Sequence, residues 1–319
     1  MKDLYFAACS ADGGIYHYKL CEGNLEFIRK YDIDRPMYLA IEGDKMYVIL
    51  RDVYDGMSAV SVFDIDKDGN LYNMTIPVST RGKCACHLCV EDGKVYTANY
   101  LSGTVSLVGS KTVAHTGCGP NKPRQDMPHC HYVNFTADKK HLLVCDLGND
   151  TVYTYDRDLC EISKSTVPQG HGCRHLVMSK KHNVVYCVNE LESTVTVFDI
   201  DDGVLTAGQT VGALTPSFNG KSTAAAIRLS EDEKYLYVSN RGEDSICVFE
   251  ISESGRKLSQ KNNVSCGGVS PRDFDIVDGI MFVTNEQTNN VTVFEVNGKD
   301  VIKTECELDM PNPLCVVYK

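Results

Sequence analysis

The chain has 319 residues, of which 43% are hydrophobic and 24% are charged. This is long enough for two domains or one large repeat architecture, and the composition is that of a globular protein. The formal net charge of −11 and the pI near 5.3 argue against a nucleic-acid partner, because phosphate-backbone binding needs clustered Lys and Arg. Small anionic molecules remain candidate ligands, since a few arginines can concentrate positive charge locally.

No segment has the character of a targeting or membrane-spanning sequence. The N-terminal MKDLYFAACSADGG has no apolar stretch long enough for a signal peptide, and no run of 18 apolar residues occurs. The 15 cysteines are odd in number, and several lie inside apolar runs such as VYCVNE and SICVFE. We therefore expect reduced cysteines that act as small buried hydrophobes, no membrane contact and a cytoplasmic location.

A pattern of short strands recurs along the chain. Each copy has an apolar or aromatic strand that ends near Asn or Asp, a polar turn, and a strand resembling TVTVF. In chain order the copies are DKMYVILRDVYDGMSAVSVFDI, GKVYTANYLSGTVSLV, HLLVCDLGNDTVYTYD, NVVYCVNELESTVTVFDI, KYLYVSNRGEDSICVFEI and GIMFVTNEQTNNVTVFEV. The aligned position, which recurs at intervals of 43 to 51 residues, falls at Tyr47, Tyr96, Leu143, Tyr186, Tyr237 and Phe282.

A period in the forties with about four strands per unit is typical of a β-propeller. A seventh unit is split between the chain ends: LYFAACSADGGIYHYKL supplies its later strands and PNPLCVVYK its missing first strand. The sequence thus predicts an all-β protein, a single seven-bladed β-propeller domain over residues 1–319, closed by pairing of the N- and C-terminal strands. A pair of β-sandwiches is the alternative, but it does not account for the regular repeat.

Each unit has polar residues at the start of its first strand and at the end of its second strand, and we expect both places to lie at the same end of the propeller. The first strand begins with a polar element, as in MPHCHYVNF, GCRHLVM and SPRDFDI, and the second ends in another, as in VNE, SNR and TNE. Adjacent strands of a blade are antiparallel, so these elements lie side by side. This predicts a cluster from the fourth to seventh blades that contains His131, Arg174, His175, Glu190, Arg241, Arg272 and Glu286. The alternative is a set of polar residues that only solvate a channel mouth.

A metal or nucleotide site is not indicated by the motifs. His129 and His131 are two residues apart on a predicted strand and share a face, whereas Cys130 points away. The segment CACHLC divides in the same way, and neither set brings four ligands to a tetrahedral centre. The chain has no GxxxxGK[ST] loop, no strand-linked GxGxxG and no GxSxG elbow. We therefore predict no metal and no cofactor.

The composition of the predicted cluster suits an anionic, oxygen-rich small molecule. Arginines pair with phosphate or carboxylate and can stabilise the oxyanion that forms at an ester carbonyl. A His or Glu can take a proton from water or protonate a leaving alkoxide. These groups could open a charged lactone or catalyse the reverse ring closure, and composition leaves both possibilities open.

Several motifs resemble one known family, the bacterial 6-phosphogluconolactonases of the seven-bladed lactonase type. They are GCGPNKPRQDMPHCHYVNF, GCRHLVM with YCVNELESTVTVFDI, STAAAIRL with YVSNRGEDSICVFEI, SPRDFDI and the terminal PNPLCVVY. The resemblance extends over nearly the whole chain. It implies hydrolysis of 6-phosphoglucono-δ-lactone to 6-phosphogluconate in the pentose phosphate pathway, which is a carboxylic ester hydrolase activity. A related branch, the carboxy-muconate lactonising enzymes, handles a lactone in the opposite direction.

The resemblance also implies which residues act. The positions that match the catalytic residues of the family are His131, Arg174, Glu190 and Arg241, and His129, His175 and Arg272 fit the lactonase motifs as substrate-binding residues together with Glu286. Glu190 and His131 would form the acid/base pair. The two arginines of the catalytic set would hold the phosphate or polarise the lactone carbonyl.

The chain departs from the family pattern at a few positions. Ala226 stands where the family often has Glu, and Cys130 replaces the usual small residue or Pro between the two histidines. These changes bear on substrate preference more than on fold. Two other functions therefore stay open: a muconate-type lactonising or other sugar-lactone enzyme, and a propeller that binds a ligand without catalysis.

Overall fold

In the computed structural model, which describes residues 1–319, each sequence repeat forms one antiparallel sheet. Blade 1 is assembled from both chain ends, with strands β29 (Pro313–Tyr318), β1 (Lys2–Ala8), β2 (Gly14–Cys21) and β3 (Asn24–Tyr31). Blade 2 contains β4 (Pro36–Glu42), β5 (Lys45–Tyr54), β6 (Met57–Ile65), β7 (Leu71–Tyr72) and β8 (Val78–Ser79). Blade 3 contains β9 (Ala85–Glu91), β10 (Lys94–Asn99), β11 (Thr104–Leu107) and β12 (Lys111–Ala114).

The second half of the chain continues the same arrangement. Blade 4 contains β13 (Cys130–Phe135), β14 (Leu142–Asp146), β15 (Thr151–Tyr155) and β16 (Glu161–Thr166), with a 3-10 turn at Leu147–Asn149. Blade 5 contains β17 (Cys173–Met178), β18 (Val184–Asn189), β19 (Thr194–Asp201) and β20 (Val204–Gly212). Blade 6 contains β21 (Thr223–Leu229), β22 (Tyr235–Arg241), β23 (Ser245–Ile251) and β24 (Leu258–Ser265). Blade 7 contains β25 (Pro271–Val277), β26 (Ile280–Asn285), β27 (Asn290–Asn297) and β28 (Asp300–Asp309).

The seven sheets close into a ring, as the sequence predicts. The first strand of each blade contacts the first strands of both neighbouring blades, and these contacts run from β4 round to β29 and back to β4. Closure depends on the chain ends, because β29 pairs antiparallel with β1, with Phe6 opposite Val316. The first strands therefore surround the axis of the propeller. No helix in the structure has both the length and the apolar character needed to cross a membrane.

The hydrophobic core lies between the blades. Seven apolar clusters occur, and each one combines buried side chains from neighbouring blades. Cysteines contribute to these clusters, as in the cluster between blades 4 and 5, which contains Cys145, Cys173 and Cys187. All 15 cysteines are free thiols and most are buried. The expectation that they act as small apolar core residues is therefore confirmed.

The aligned aromatic position of the repeat also connects neighbouring blades. In four blades it is a Tyr whose hydroxyl donates a hydrogen bond to a backbone carbonyl in the outer hairpin of the next blade. The four bonds measure 2.6 to 2.7 Å and run from Tyr5 to Gly69, Tyr96 to Arg157, Tyr186 to Gly255 and Tyr237 to Gly298. In blades 4 and 7 the position is Leu143 or Phe282, which have no hydroxyl.

Candidate functional site

A β-bulge interrupts strand pairing at the start of the first strand in every blade. In blade 4, for example, Cys130 pairs with Asp146 and Tyr132 pairs with Cys145, which leaves His131 without a partner. A bulge re-aims the side chain of its extra residue. The extra residues, called bulge residues below, are Leu314, Met37, Cys86, His131, Arg174, the pair Ala225 and Ala226, and Arg272 in blades 1 to 7.

The bulge residues line a cavity on the propeller axis. Six of them, together with Tyr38, His175 and Asp273, line a narrow cavity. The predicted His131, Arg174 and Arg272 therefore do converge, although they lie far apart in the sequence and in different blades. The bulge is the reason they converge, because regular alternation alone does not place these side chains on the axis.

A second ring of side chains lies where the second strand of each blade ends. Its residues are called rim residues below, and they are Cys9, Arg51, Tyr100, Leu147, Glu190, Arg241 and Glu286 in blades 1 to 7. In most blades the backbone NH of the rim residue donates to the residue before the first strand, as from Glu190 to Gly172 O at 2.7 Å. The rim ring and the bulge ring together form one mouth of the channel.

Glu190 is the centre of the charged part of this mouth. Its carboxylate accepts hydrogen bonds from Arg174 Nε at 2.9 Å and from Arg124 Nη2 at 2.5 Å. It also lies 3.1 Å from Arg241 Nη2. Burial alone would raise the pKa of the carboxyl, but the charges of Arg241, Arg174 and Arg124 outweigh burial and hold the pKa well below its usual range. The predicted Arg174, Glu190 and Arg241 thus form one ion cluster with an excess of positive charge.

Arg174 is almost completely enclosed. Besides Glu190, its Nη1 donates to Ala225 O at 2.8 Å and lies 3.2 Å from His175 Nε2. Burial is the main cause that lowers the pKa of this guanidinium to about 9, and the charge of Arg241 adds to the effect while Glu190 opposes it. Arg174 is therefore fixed in one position with its charge directed into the cavity.

Arg124 was missed by the reasoning from sequence. It lies in the connection between β12 and β13, which has no counterpart of similar length between other blades, and it also approaches Tyr100 Oη at 3.3 Å. The neighbouring Gln125 fixes the connection by donating to Leu147 O and Asp150 Oδ1, both at 2.8 Å. The unusual length of this segment and its KPRQ motif were the available signals.

The two predicted histidines of MPHCHYVNF lie against Tyr100. The His129 ring stacks on Tyr100 with 4.4 Å between centroids, and His131 meets the same ring edge-on at 5.5 Å. Buried His131 has no hydrogen-bond partner at Nδ1. Burial, and secondarily the charge of Arg174, lowers the pKa of His131 well below its usual range, so this imidazole is neutral near pH 7.

The remaining three predicted residues are His175, Arg272 and Glu286. His175 lies deeper, with its ring centroid 5.2 Å from that of His131 and 5.3 Å from that of buried His87. Arg272 Nη1 lies 3.2 Å from Glu286 Oε2 and forms an ion pair separate from the Glu190 cluster. Burial alone would lower the pKa of Arg272, but Glu286 outweighs this effect and raises it. Arg272 is thus a charged group that faces the cavity from blade 7.

Cys130 points away from the channel, as strand alternation predicts, and belongs to the core between blades 3 and 4. There its Sγ lies 3.3 Å from Nδ1 of His115, which bonds Asp146 Oδ2 at 2.7 Å, and the three potential metal-ligand atoms lie within 4.8 Å of one another. Hydrogen bonds already account for this approach, because Tyr155 Oη bonds the other ring nitrogen of His115 at 2.9 Å. The cluster anchors the start of the connection that carries Arg124.

Comparison with known proteins identifies the family. Residues 3–318 match the family model described as lactonase, 7-bladed β-propeller. The 6-phosphogluconolactonase of Bacillus subtilis is 32% identical over 310 residues, covering 90% of this chain and 88% of that protein. The resemblance inferred from the sequence motifs is therefore confirmed.

Solved structures agree with this assignment. A protein from Bacteroides fragilis, provisionally named 6-phosphogluconolactonase, superposes with a TM-score of 0.90 at 27% identity and is covered to 98%, with all of this chain matched. A Lactobacillus plantarum protein superposes with a TM-score of 0.91 at 29% identity, with both chains fully covered. The chain thus belongs to the lactonase family of seven-bladed β-propellers.

Proposed function

We propose that this protein hydrolyses 6-phosphoglucono-δ-lactone to 6-phosphogluconate, as a step of the pentose phosphate pathway. The observation that carries the proposal is a neutral buried imidazole, His131, in the same cavity as the guanidiniums of Arg174 and Arg272, in a member of the lactonase family. A neutral imidazole can accept a proton from water, and guanidiniums can stabilise the oxyanion that follows. The name of the Bacillus subtilis relative supports the choice of substrate.

In the proposed mechanism His131 is the general base. Its ring nitrogen takes a proton from water as the water oxygen attacks the lactone carbonyl carbon, and the tetrahedral oxyanion faces Arg174 and Arg241. The bond between the carbonyl carbon and the ring oxygen then breaks, and the imidazolium gives its proton to the departing alkoxide. The new carboxylic acid ionises and releases one proton to solvent.

Glu190 has a different role in this proposal. The oxygens of the Glu190 carboxylate are already occupied by three guanidiniums, whereas His131 Nδ1 has no partner. We therefore assign Glu190 to positioning Arg174, Arg241 and Arg124 rather than to an acid/base pair with His131. His129 would bind substrate beside Tyr100 at the mouth, Arg272 and Glu286 would line the opposite wall, and His175 would support His131 from below.

The test is product formation from 6-phosphogluconolactone above the spontaneous rate, measured with and without a chelator. His131→Asn should lower kcat/KM by about 10²- to 10⁴-fold, the usual contribution of a general base. His182→Asn is a matched control, because His182 lies in the turn between β17 and β18 at the opposite face. Full activity in His131→Asn would overturn the mechanism.

A panel of substrates separates this proposal from the other functions. Turnover of muconates or unphosphorylated sugar lactones in preference to the phosphorylated lactone would indicate the lactonising or general sugar-lactone enzyme. Binding of 6-phosphogluconate without turnover of any lactone would indicate a non-catalytic propeller. We place the reaction in the cytoplasm, because a phosphorylated sugar does not cross membranes freely; activity confined to another cell fraction would contradict this.

A further inference from the structure

The rim ring contains an arginine that neither the sequence motifs nor the proposed mechanism uses. Arg51 occupies in blade 2 the position that Glu190 and Arg241 occupy in blades 5 and 6. The register shows the equivalence, since Leu50 pairs with Pro36 as Asn189 pairs with Cys173. Backbone bonding agrees, because the NH of the rim residue donates to the residue before the first strand at 3.0 Å in blade 2 and 2.7 Å in blade 5.

Arg51 differs from the other rim and bulge arginines in its partners. Arg174 and Arg241 pair with Glu190, and Arg272 pairs with Glu286. Arg51 instead forms no ion pair, and a neighbouring group that its charge affects is the Cys84 thiol, which is a weak acceptor. The half-buried guanidinium therefore has most of its donors free for a ligand.

The carboxylate next to Arg51 in the sequence does not form an ion pair with it. Asp52 follows it directly, but its Oδ1 accepts from the backbone NH of Cys84 at 2.8 Å and from Ser58 Oγ at 3.0 Å. These bonds hold the Asp52 carboxylate against the backbone at the junction of blades 2 and 3. The positive charge of Arg51 is thus left unpaired at the mouth.

The position of Arg51 relative to the reaction centre follows from the ring order. In a closed ring of seven blades, blade 2 lies across the axis from blades 5 and 6, which carry the Glu190 cluster. Arg272 lies on the same side of the mouth as Arg51, because both charges act on the Cys9 thiol. Burial raises the pKa of this thiol, and the charges of Arg51 and Arg272 both oppose that rise. The guanidiniums of Arg51, Arg272 and Arg35 therefore lie near Cys9, opposite the three on Glu190, and of these Arg35 pairs with Asp34 and Arg272 with Glu286.

We propose that Arg51 forms a subsite for the phosphate group of the substrate, across the channel mouth from the Glu190 cluster that receives the lactone carbonyl. A δ-lactone phosphorylated at its far end has two groups that need positive charge, and the mouth has two separate groups of guanidiniums. Guanidinium binds phosphate with paired, charge-assisted hydrogen bonds. The inference rests on the proposed function, because it assigns the second anionic group of that same substrate.

The test compares Arg51→Gln, Arg51→Lys and the wild type on 6-phosphogluconolactone and on glucono-δ-lactone. In Arg51→Gln the preference for the phosphorylated lactone, as a ratio of kcat/KM values, should fall about 10- to 100-fold, with the loss mainly in KM. Arg51→Lys should recover part of the preference, since it keeps the charge but loses the paired geometry. The control is Arg256→Gln, because Arg256 pairs with Asp199 on the outer surface.

Binding measurements separate failure of the subsite from failure of the proposed reaction. Calorimetry with 6-phosphogluconate and with inorganic phosphate should show binding to the wild type and a 10- to 100-fold weaker affinity in Arg51→Gln, whether or not the wild type turns over the lactone. Absence of turnover with this binding difference would reject the reaction and keep the anion subsite. An unchanged substrate preference or an unchanged affinity in a folded Arg51→Gln variant would overturn the subsite.

Discussion

The two levels of the axial channel contain the same kinds of side chain in opposite proportions. At the mouth, three guanidiniums surround Glu190. Deeper in the channel, the single guanidinium of Arg228 forms ion pairs with two carboxylates. Its Nη2 lies 2.9 Å from Asp273 Oδ1, and its Nε lies 3.6 Å from Asp275 Oδ1. The first cluster has surplus positive charge and the second surplus negative charge, so an anionic ligand is attracted to one level only.

The pKa shifts of the acids show the same contrast. The pKa of Glu190 lies well below its usual range because three guanidiniums outweigh burial. Burial raises the pKa of Asp273 and Asp275, and the single Arg228 only partly opposes it. Three guanidiniums therefore keep one acid ionised, whereas burial, which the single Arg228 only partly opposes, lets the other two accept a proton more easily. We therefore expect the ratio of charges, and not their presence, to distinguish the proposed binding site from a structural ion cluster.

The largest expected effect is that of Glu190→Gln on stability. It removes the carboxylate from three guanidiniums that stay charged at pH 7, so the free energy of unfolding should fall by about 3–5 kcal/mol at that pH, measured by urea denaturation. The contribution of Glu190 is fully present above its unfolded pKa of about 4.3 and is lost only as pH falls through its lower folded pKa. Unchanged stability at pH 7 would contradict the role of Glu190 as a positioning residue.

The next largest effect concerns activity at the mouth. Arg174→Met should lower kcat/KM for the phosphorylated lactone by about 10²- to 10³-fold, because a fixed donor to the oxyanion is lost. Arg228→Met removes a guanidinium of the deeper cluster and should leave kcat/KM within about twofold of the wild type, in steady-state assays of folded protein. Similar losses in both variants would show that the two clusters do not differ in function.

A smaller effect is expected for the stability of Arg228→Met. The variant leaves Asp273 and Asp275 unpaired, but their raised pKa values let them take up a proton, so the cost should be about 1–3 kcal/mol at pH 7. Because the folded pKa of each acid lies above its unfolded value, protonation favours the folded state, and the cost should shrink as pH is lowered toward about 5. A cost that grows on acidification would reverse the proposed contrast with Glu190.

The smallest expected effect is that of Tyr186→Phe on stability, which serves as a reference because Tyr186 lies outside both ion clusters. Tyr186→Phe removes the 2.7 Å hydrogen bond to Gly255 O between blades 5 and 6. The free energy of unfolding should fall by about 1 kcal/mol, the usual net value of one such bond, without a change in kcat/KM. A loss of several kcal/mol, seen in thermal or urea unfolding, would show that the contacts between blades, rather than the ion clusters, dominate the effects of these variants.

Repetition is what made the fold predictable from the sequence. The aligned positions from Tyr47 to Phe282 mark one strand per blade, and the unpaired strands at the two chain ends leave ring closure as the way to complete the seventh sheet. Strand order predicted that His131, Arg174 and Arg272 lie at the same mouth, whereas the bulges that turn their side chains to the axis could not be read from the sequence. Strand alternation also placed Cys130 correctly on the core side.

The roles of Arg124, Arg51 and Glu190 depend on contacts that do not recur from blade to blade. Arg124 reaches Glu190 from a connection found only between blades 3 and 4, so no aligned copy draws attention to it. Arg51 follows Leu50, where most other repeats have Asn or Asp. The repeat of blade 2 is therefore harder to align, and the sequence alone did not show that Arg51 occupies the same position as Glu190. The proposed role of Glu190 could not be predicted from the sequence either, because it depends on how many guanidiniums surround its carboxylate in the folded protein.

The pairing of β29 with β1 has a consequence for biosynthesis. Residues 313–318 complete blade 1 and contribute Leu314 to the cavity. During vectorial synthesis at about 5–20 residues per second, β1 therefore waits tens of seconds for the partner that closes the ring. Until then Ala7 and its neighbours present an open sheet edge to the cell and the cavity lacks Leu314, however well blades 2 to 7 have folded.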